Sequence, residues 1–492
     1  MLISDTIKKS ALLYPEKTAV QMGEERISYQ ELNKNVQKIA AFFMEQPFEE
    51  SQGKAALYLP NGIDFLQYFL GAISAGWISI PLDLKWKESE LNQRFSQSQP
   101  DLVITTEELQ NKINHKGAKL ILLSAMHEST SKEDFTSTVT DESLFYMGFT
   151  SGSTGIPKCF VRNHRSWVKS FACSKEDFGL TESDTVLVPG PLVHSLFLYA
   201  AISTLYLGGT VKLLPKFSAA QTLKEIETDQ VSALYAVPTM LAALTKEMDD
   251  QHDTPRLKKI ISSGAKWEPG LKDKINILFP KTELFEFYGA SELSFVSFIN
   301  HRAAIQKPSS VGRPFHNVEL SIRKDGYEVA KGEIGTLYVK SEMLFSHYLN
   351  RPDANKEVWD SDGWLTVGDL AKVDEEDDLY IIGRSNNMII SGGQNVYPEE
   401  IENVLHSLDG IEEAVVFGVT DSYWGEKVTA AIIVNENADL AVRDVQRFCR
   451  KHLSTFKVPK HIIITKEFPY TSSGKIARSK VKEIYSQGVF SS

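Results

Sequence analysis

Through roughly the first 300 residues, short apolar runs alternate with polar, helix-compatible stretches, and this rhythm restricts the fold more than any other feature of the chain. KAALYL, AGWISIPL, DLVIT and KLILL read as strands. Strands joined by crossover helices build a parallel sheet with helices on its faces. The expected body is therefore α/β with a largely parallel sheet. Between Leu320 and Val339 turn residues separate short strands (IRKDG, AKGEIG), so a smaller β-rich unit is expected to follow. Character changes again at Arg384, where the acidic run Asp374 to Asp378 and the strand LYIIG give way to the polar turn Ser385, Asn386, Asn387. Residues 1–384 are expected to form one large domain and residues 385–492 a second. In the tail AVVFGV, TAAIIV and HIIIT read as strands and VQRFCRKHL as a helix from about Asp444 to Leu453, which makes it a small α+β domain.

Composition narrows the function. At 492 residues, 42% hydrophobic and 24% charged, the chain exceeds what one core usually holds, which fits the two domains. Its net charge of −11 opposes affinity for a polyanion, so no nucleic-acid partner is expected. Cys159, Cys173 and Cys449 are odd in number and form no CxxC pair, which argues against a disulfide framework or a cysteine zinc site. A reducing, cytoplasmic location is expected, and the first residues lack the long apolar middle of a secretory signal. The most apolar stretch, Leu196 to Val211, is interrupted by Ser203 and Thr204 and falls short of the ~20 residues a bilayer requires, so it predicts a buried core helix and no transmembrane segment. From Arg443 to Lys482, 11 Lys and Arg stand against 2 acids, a run that suits a solvated face or a phosphorylated ligand.

The most informative segment is TSGSTGIPK. Thr150, Ser151, Gly152, Ser153, Thr154, Gly155 and Lys158 put four hydroxyls, two glycines and a lysine into nine residues. Glycines let backbone N–H groups approach phosphate oxygens, hydroxyls add donors, and the lysine adds mobile positive charge. The spacing is not that of a Walker loop, because no Ser or Thr follows Lys158 and Pro157 precedes it.

This string resembles the signature loop of the adenylate-forming superfamily, which includes acyl-CoA synthetases, peptide-synthetase adenylation domains and firefly luciferase. FYGASE (Phe287 to Glu292), DGWLTVGD (Asp362 to Asp369), LYIIGR (Leu379 to Arg384), ISGGQNVYPEEIE (Ile390 to Glu402) and PYTSSGKIAR (Pro469 to Arg478) follow in order, so the resemblance spans almost the whole chain. It implies a large ATP- and acyl-binding adenylation domain and a small mobile domain that carries a catalytic lysine and a thiol-acceptor face. The implied chemistry answers a physical need. A carboxylate has no good leaving group until ATP supplies AMP, and that step demands positioning and neutralising of phosphate charge.

The resemblance assigns roles residue by residue. Glu292 is implied as the ligand of ATP-bound Mg²⁺, a hard oxygen suited to that ion. Phe287, Tyr288 and Ser291, which stands where the family usually has Thr, belong to the nucleotide motif, with Tyr288 offering a flat face to adenine. Asp369 is implied to accept the ribose hydroxyls; Val367 before it replaces a common Thr. Arg384 suits ribose and phosphate oxygens. Gly264 and Ala265, in SSGAKW, match the adenine and acyl-pocket strand. Lys475 matches the mobile lysine that contacts the substrate carboxylate and α-phosphate. Gly392 and Gly393 fit the strand along which a pantetheine arm passes, and Asn386 takes the hinge position, where Asp or Lys is more frequent.

Substrate class rests on less. PGPLVHS places His194 where amino-acid-activating relatives usually carry an aspartate, and the LFLYAA that follows is apolar; both favour a fatty or aromatic acid. His194 joins Lys475 and Glu292 as a candidate catalytic residue, and Val237, Pro238, Ser263 and Leu293 are candidate pocket walls. Lys457, in STFKVPK, can meet the phosphates of CoA, although a carrier-protein pantetheine would use the same tunnel. The expectation is an ATP-dependent, AMP-forming acyl-CoA ligase. The alternatives are a stand-alone adenylation enzyme loading a carrier protein, a 2-succinylbenzoate-CoA ligase, and a non-catalytic acyl-nucleotide binding protein.

Overall fold

The structure is a computed structural model. It describes residues 2–48, 51–114, 117–124, 139–150, 157–228, 231–248, 256–264, 267, 270–392, 394–421, 423–435, 438, 440–470 and 476–486. The α/β body holds two large sheets, each largely parallel, in keeping with the expected fold class. The seven-stranded sheet runs 119–122, 102–105, 54–58, 78–81, 144–150, 158–163, 347–348, parallel through Leu144–Thr150 and antiparallel beyond it. The nine-stranded sheet runs 25–28, 18–22, 210–213, 185–188, 233–236, 259–262, 283–290, 294–300, 313–314. Its strands from Thr18–Met22 to Glu283–Ala290 are parallel, and antiparallel strands close both ends.

One core cluster draws residues from both sheets and from the helices Tyr29–Met44, Ile63–Ser74, His164–Glu176 and Ser195–Leu207. Ile63–Ser74 is buried on every side except at Asp64, which explains why its sequence lacks an amphipathic stripe. Burying each of its large side chains contributes about 1.5–3 kcal/mol. The apolar run from Leu196 to Val211, expected as a single helix, is divided: Gly208 ends Ser195–Leu207 with φ +84°, and Val211 belongs to the strand Thr210–Leu213. A left-handed residue cannot continue a right-handed helix, so the Gly-Gly pair sets the division.

The third sheet is wholly antiparallel, in the order 327–328, 319–324, 335–340, 369–373, 379–384. Past Arg384 a 3₁₀ turn, Ser385–Asn387, leads to a fourth sheet in the order 394–396, 389–391, 425–434, 411–421, with His461–Thr465 parallel to Gly425–Val434. The helices Pro398–His406 and Val442–His452 cover a core of their own there. No helix among the described residues is long and apolar enough to cross a membrane.

Candidate active site

The strand Glu283–Ala290 turns at Ala290–Ser294 into Ser294–Asn300, and this hairpin presents Tyr288, Ser291 and Glu292. Side chains alternate along a strand, so neighbouring Phe287 and Tyr288 face opposite ways. Phe287 packs against Phe295, ring centroids 4.6 Å apart, inside an aromatic cluster. Tyr288 instead donates its hydroxyl hydrogen bond to Oδ2 of Asp369. Asp369, only 4% exposed, opens its strand directly across from Arg384, whose Nε donates to Oδ1 at 3.0 Å. Burial pushes the Tyr288 hydroxyl well above its ordinary pKa and the Asp369 charge adds to the shift, so the phenol remains a donor. Burial opposes the charge on Arg384, and Asp369, Tyr288 and Glu292 together more than offset it, so its pKa is raised.

Glu292 is buried, and Tyr348 donates to its Oε1 at 2.7 Å. Its carbonyl accepts from the Phe345 N–H at 2.8 Å. Burial, then the Glu292 charge, raises the Tyr348 pKa. Lys158 sets its Nζ 4.8 Å from the centroid of the same Tyr348 ring, an attractive cation–π geometry. The charges of Glu292 and Arg384 both act on Tyr288 and on Tyr348, so the two groups of residues form one electrostatic unit. Thr150 and Lys158 are opposite partners at the base of a hairpin. Ser151, Gly152, Ser153, Thr154 and Gly155 between them lie outside the described residues, as do Ala265, Gly393 and Lys475.

Other expected site residues make no hydrogen bond to this unit among the described residues. His194 caps the N-terminus of Ser195–Leu207. Burial lowers its pKa, and the charges acting on it are those of Asp83 and Lys85. Behind it Tyr146 and Ser195 share a 3.0 Å hydroxyl contact. Gly264 is exposed at φ +98° just past Lys259–Ser262. In the fourth sheet Gly392 adopts φ +58° and donates its N–H to the Trp424 carbonyl at 2.8 Å. Lys457 is held by both oxygens of Glu400, each 2.7 Å from Nζ.

Sequence reasoning missed Tyr348, Asp83 and Arg162. Arg162 left a readable signal, a lone arginine inside the apolar strand CFVRN. Tyr348 left none, since only the fold brings HY, at 347–348, beside the strand Lys158–Asn163.

Residues 7–349 match the family model described as AMP-binding enzyme, and residues 400–475 match the AMP-binding enzyme C-terminal domain. The chain belongs to the AMP-binding enzyme family. This AMP-binding enzyme is 44% identical over 492 residues to YhfT of Bacillus subtilis, an uncharacterized acyl-CoA ligase, with 99% of each chain covered. It is 28% identical over 452 residues to the long-chain-fatty-acid–CoA ligase FadD13 of Mycobacterium tuberculosis, with 89% of each covered. Among solved structures it is similar to the Bacillus subtilis o-succinylbenzoate CoA synthetase MenE in complex with its acyl-adenylate intermediate, at TM-score 0.89 and 26% identity over 97% of this chain and 98% of that one. A complex of the same synthetase with ATP and magnesium ion gives TM-score 0.89 at 25% identity, over 97% and 99% of the two chains.

Proposed function

We propose that this AMP-binding enzyme is an ATP-dependent, AMP-forming acid–thiol ligase for a fatty or aromatic acid. In the first half-reaction a carboxylate oxygen attacks the α-phosphorus of ATP, a P–O bond to the leaving pyrophosphate breaks, and an acyl-adenylate forms. In the second, the thiol of CoA attacks the acyl carbon, AMP leaves with the electron pair of the broken C–O bond, and the thiol proton passes to solvent. The observation that carries this reading is the joining of Tyr288, Asp369 and Arg384 to Glu292, Tyr348 and Lys158 in one unit built from five chain segments. It offers an aromatic ring, a carboxylate with lone pairs to spare, a hard-oxygen ligand and two cations, the set that adenosine, ribose and phosphates require.

Each residue has a stated task. Among the described residues one donor reaches each oxygen of Asp369, leaving lone pairs for ribose hydroxyls. Arg384 orients that carboxylate. Lys158 brings mobile positive charge to the phosphates, and the hydroxyls and N–H groups of residues 150–155 supply donors around it. Glu292 fits Mg²⁺: it is buried, and Oε1 alone receives a hydrogen bond among the described residues. When bound there, Mg²⁺ supplies neutralisation of phosphate charge. Lys475 is assigned to the substrate carboxylate and α-phosphate, and Gly392 with Gly393 to the path of the thiol. His194, kept neutral by burial, is assigned to the acyl pocket, as are Gly264 and Ala265. The large domain, 1–384, makes the adenylate and the small domain, 385–492, exchanges its lysine for its acceptor face. A cytoplasmic setting suits these water-soluble co-substrates.

Release of pyrophosphate and of AMP, followed across short, medium and long fatty acids, aryl acids and amino acids with and without CoA, tests the reading. Pyrophosphate release with a fatty or aryl acid, followed by CoA-dependent AMP release, is expected. AMP release that requires a phosphopantetheinyl carrier protein instead would reassign the acceptor, and amino-acid preference would overturn the substrate class.

A further inference from the structure

Arg162 lies in the strand Lys158–Asn163 and is 2% exposed. A guanidinium so placed is costly unless its N–H groups are satisfied, and here four of the five go to other segments. Nε and Nη2 donate to the Ser291 carbonyl at 3.2 and 3.0 Å, Nη2 also donates to the Ser294 hydroxyl at 2.6 Å, and Nη1 donates to the Met343 carbonyl at 2.9 Å. The Ser294 hydroxyl in turn donates to that same Met343 carbonyl at 2.8 Å. One side chain thus ties the signature hairpin to the turn Ala290–Ser294 and to the segment leading into Tyr348.

That turn is closed by the Leu293 N–H donating to the Ala290 carbonyl at 3.1 Å, but it is strained. Ser294 adopts φ +61°, a left-handed conformation unfavourable for a residue with a side chain, and the Ser294 carbonyl crowds Gly289 so closely that a Cβ there would lie 2.0 Å from its oxygen. Arg162 grips the turn on both sides of Glu292, at Ser291 and at Ser294. No carboxylate is hydrogen-bonded to the guanidinium among the described residues; burial opposes its charge, and Tyr146 and then Glu292, the one carboxylate of the two, favour it. Lys158 and Arg162, four residues apart, share one face of their strand, so a single rigid element bears both the cation at the mouth of the site and the clamp beneath it.

We propose that Arg162 is a positioning residue which, through Ser291, Ser294 and Met343, fixes the Glu292 carboxylate at the distance from Lys158 that Mg²⁺-bound ATP requires. The proposal rests on the reading of Glu292 as the Mg²⁺ ligand. It goes beyond that reading by naming what holds the carboxylate in place.

Calorimetric titration with ATP in the absence of acid, once with Mg²⁺ and once with EDTA, tests it on the full chain and on Arg162→Lys, Ser294→Ala and Glu292→Gln. A lysine ammonium keeps the charge but cannot span three acceptors on two segments. Arg162→Lys is expected to weaken ATP binding about tenfold with Mg²⁺, the worth of one charge-assisted hydrogen bond, and less than about twofold with EDTA. Ser294→Ala, a milder change, should shift the same ratio about threefold. The KM for the acid, measured by pyrophosphate exchange, should stay within about twofold for both, because neither contact bears on the acyl pocket. Equal weakening with Mg²⁺ and with EDTA, or an unchanged ratio, overturns the proposal. Should Arg162→Lys not fold, the ratio for Ser294→Ala decides alone. If Glu292→Gln retains the full gain from Mg²⁺, the metal reading of Glu292 falls and the proposal with it; if only Glu292→Gln loses the gain, the reading stands and the clamp does not.

Discussion

Asp369 and Arg384 stand opposite one another in an antiparallel pair, with Nε 3.0 Å from Oδ1, while Tyr288 takes the other carboxylate oxygen. Each partner orients the carboxylate, so the three side chains should act as a unit. Removing the charge in Asp369→Asn is expected to weaken ATP binding about tenfold to a hundredfold, in line with charge-assisted hydrogen bonds of ~1.5–3 kcal/mol. Arg384→Met should cost a comparable factor. Adding Arg384→Met to Asp369→Asn should cost much less than the two single losses multiplied, because the second change breaks a contact already lost. Calorimetric affinities for the four proteins give the answer, and strict additivity would mean that the pair is not a working unit.

Lys457 is engaged by both oxygens of Glu400, each 2.7 Å away, on the first turn of Pro398–His406. Any phosphate reaching Lys457 competes with that carboxylate. Pairs near the surface are worth about 0.2–1 kcal/mol and this one is half-buried, so Glu400→Gln should lower the KM for CoA about twofold to fivefold by freeing the ammonium. Lys457→Met should raise it, and ATP parameters should not move in either variant. Steady-state kinetics with CoA varied at two salt concentrations reads both effects, and a CoA KM indifferent to both substitutions removes Lys457 from the acceptor site.

The sequence made the chemistry more legible than the geometry. Glycines, hydroxyls and a lysine at 150–158 announce phosphate binding because few other uses need that composition, and strand periodicity exposes the β-rich unit around Leu320 to Val339. How the strands divide between the sheets could not be read, since the helices Ile63–Ser74 and Ser195–Leu207 are largely apolar and buried whether they lie between sheets or deep under one. Alternation does predict that Phe287 and Tyr288 point apart, but which of them faces Asp369 depends on how the hairpin seats against the third sheet. Tyr348 and Arg162 act on a turn more than fifty residues away in each direction, and nothing local encodes such a contact. The turn after Arg384 is similarly tertiary: Asn387 donates to Oε1 of Glu399 at 2.8 Å, and a Cβ on Gly383 would collide with that same carboxylate.

His164 is fully buried, its ring centroid 5.0 Å from that of Phe145 and tilted 38° to it, with neither ring nitrogen hydrogen-bonded to any described residue. Burial pulls its pKa down to about 4. The unfolded chain takes up the proton near pH 6.5, the folded one only near 4, so this residue leaves stability level above pH 6.5 and lowers it steadily as pH falls between those values. At pH 5 the loss from this residue is about 2 kcal/mol. His164→Phe keeps the ring and removes the titration. Urea unfolding at pH 7.5 and pH 5 should show a smaller acid loss for His164→Phe than for the unmodified protein, by about that amount. Identical losses in the two proteins would mean that His164 is protonated within the fold.

The two half-reactions should separate genetically. Lys475 is assigned to the moment when charge gathers on the α-phosphate and the attacking carboxylate, and loss of such a donor costs about 2.7–4 kcal/mol, a hundredfold to a thousandfold in rate. Lys475→Ala should therefore cripple pyrophosphate exchange while thioester formation from supplied acyl-adenylate continues. Gly392 offers the converse. Its φ of +58° is left-handed, and an added Cβ would lie 3.1 Å from Cε3 of Trp424, so alanine both strains the backbone, by about 1–2 kcal/mol, and narrows the path beside it. Gly392→Ala should slow thioester formation about tenfold, with pyrophosphate exchange unchanged, since the strain sits on the acceptor strand alone. Measured on the same preparations, rapid-quench assays of the two steps should give opposite patterns in the two variants. If either substitution slows both steps by the same factor, one face of the small domain serves both reactions and the exchange of faces is not part of the cycle.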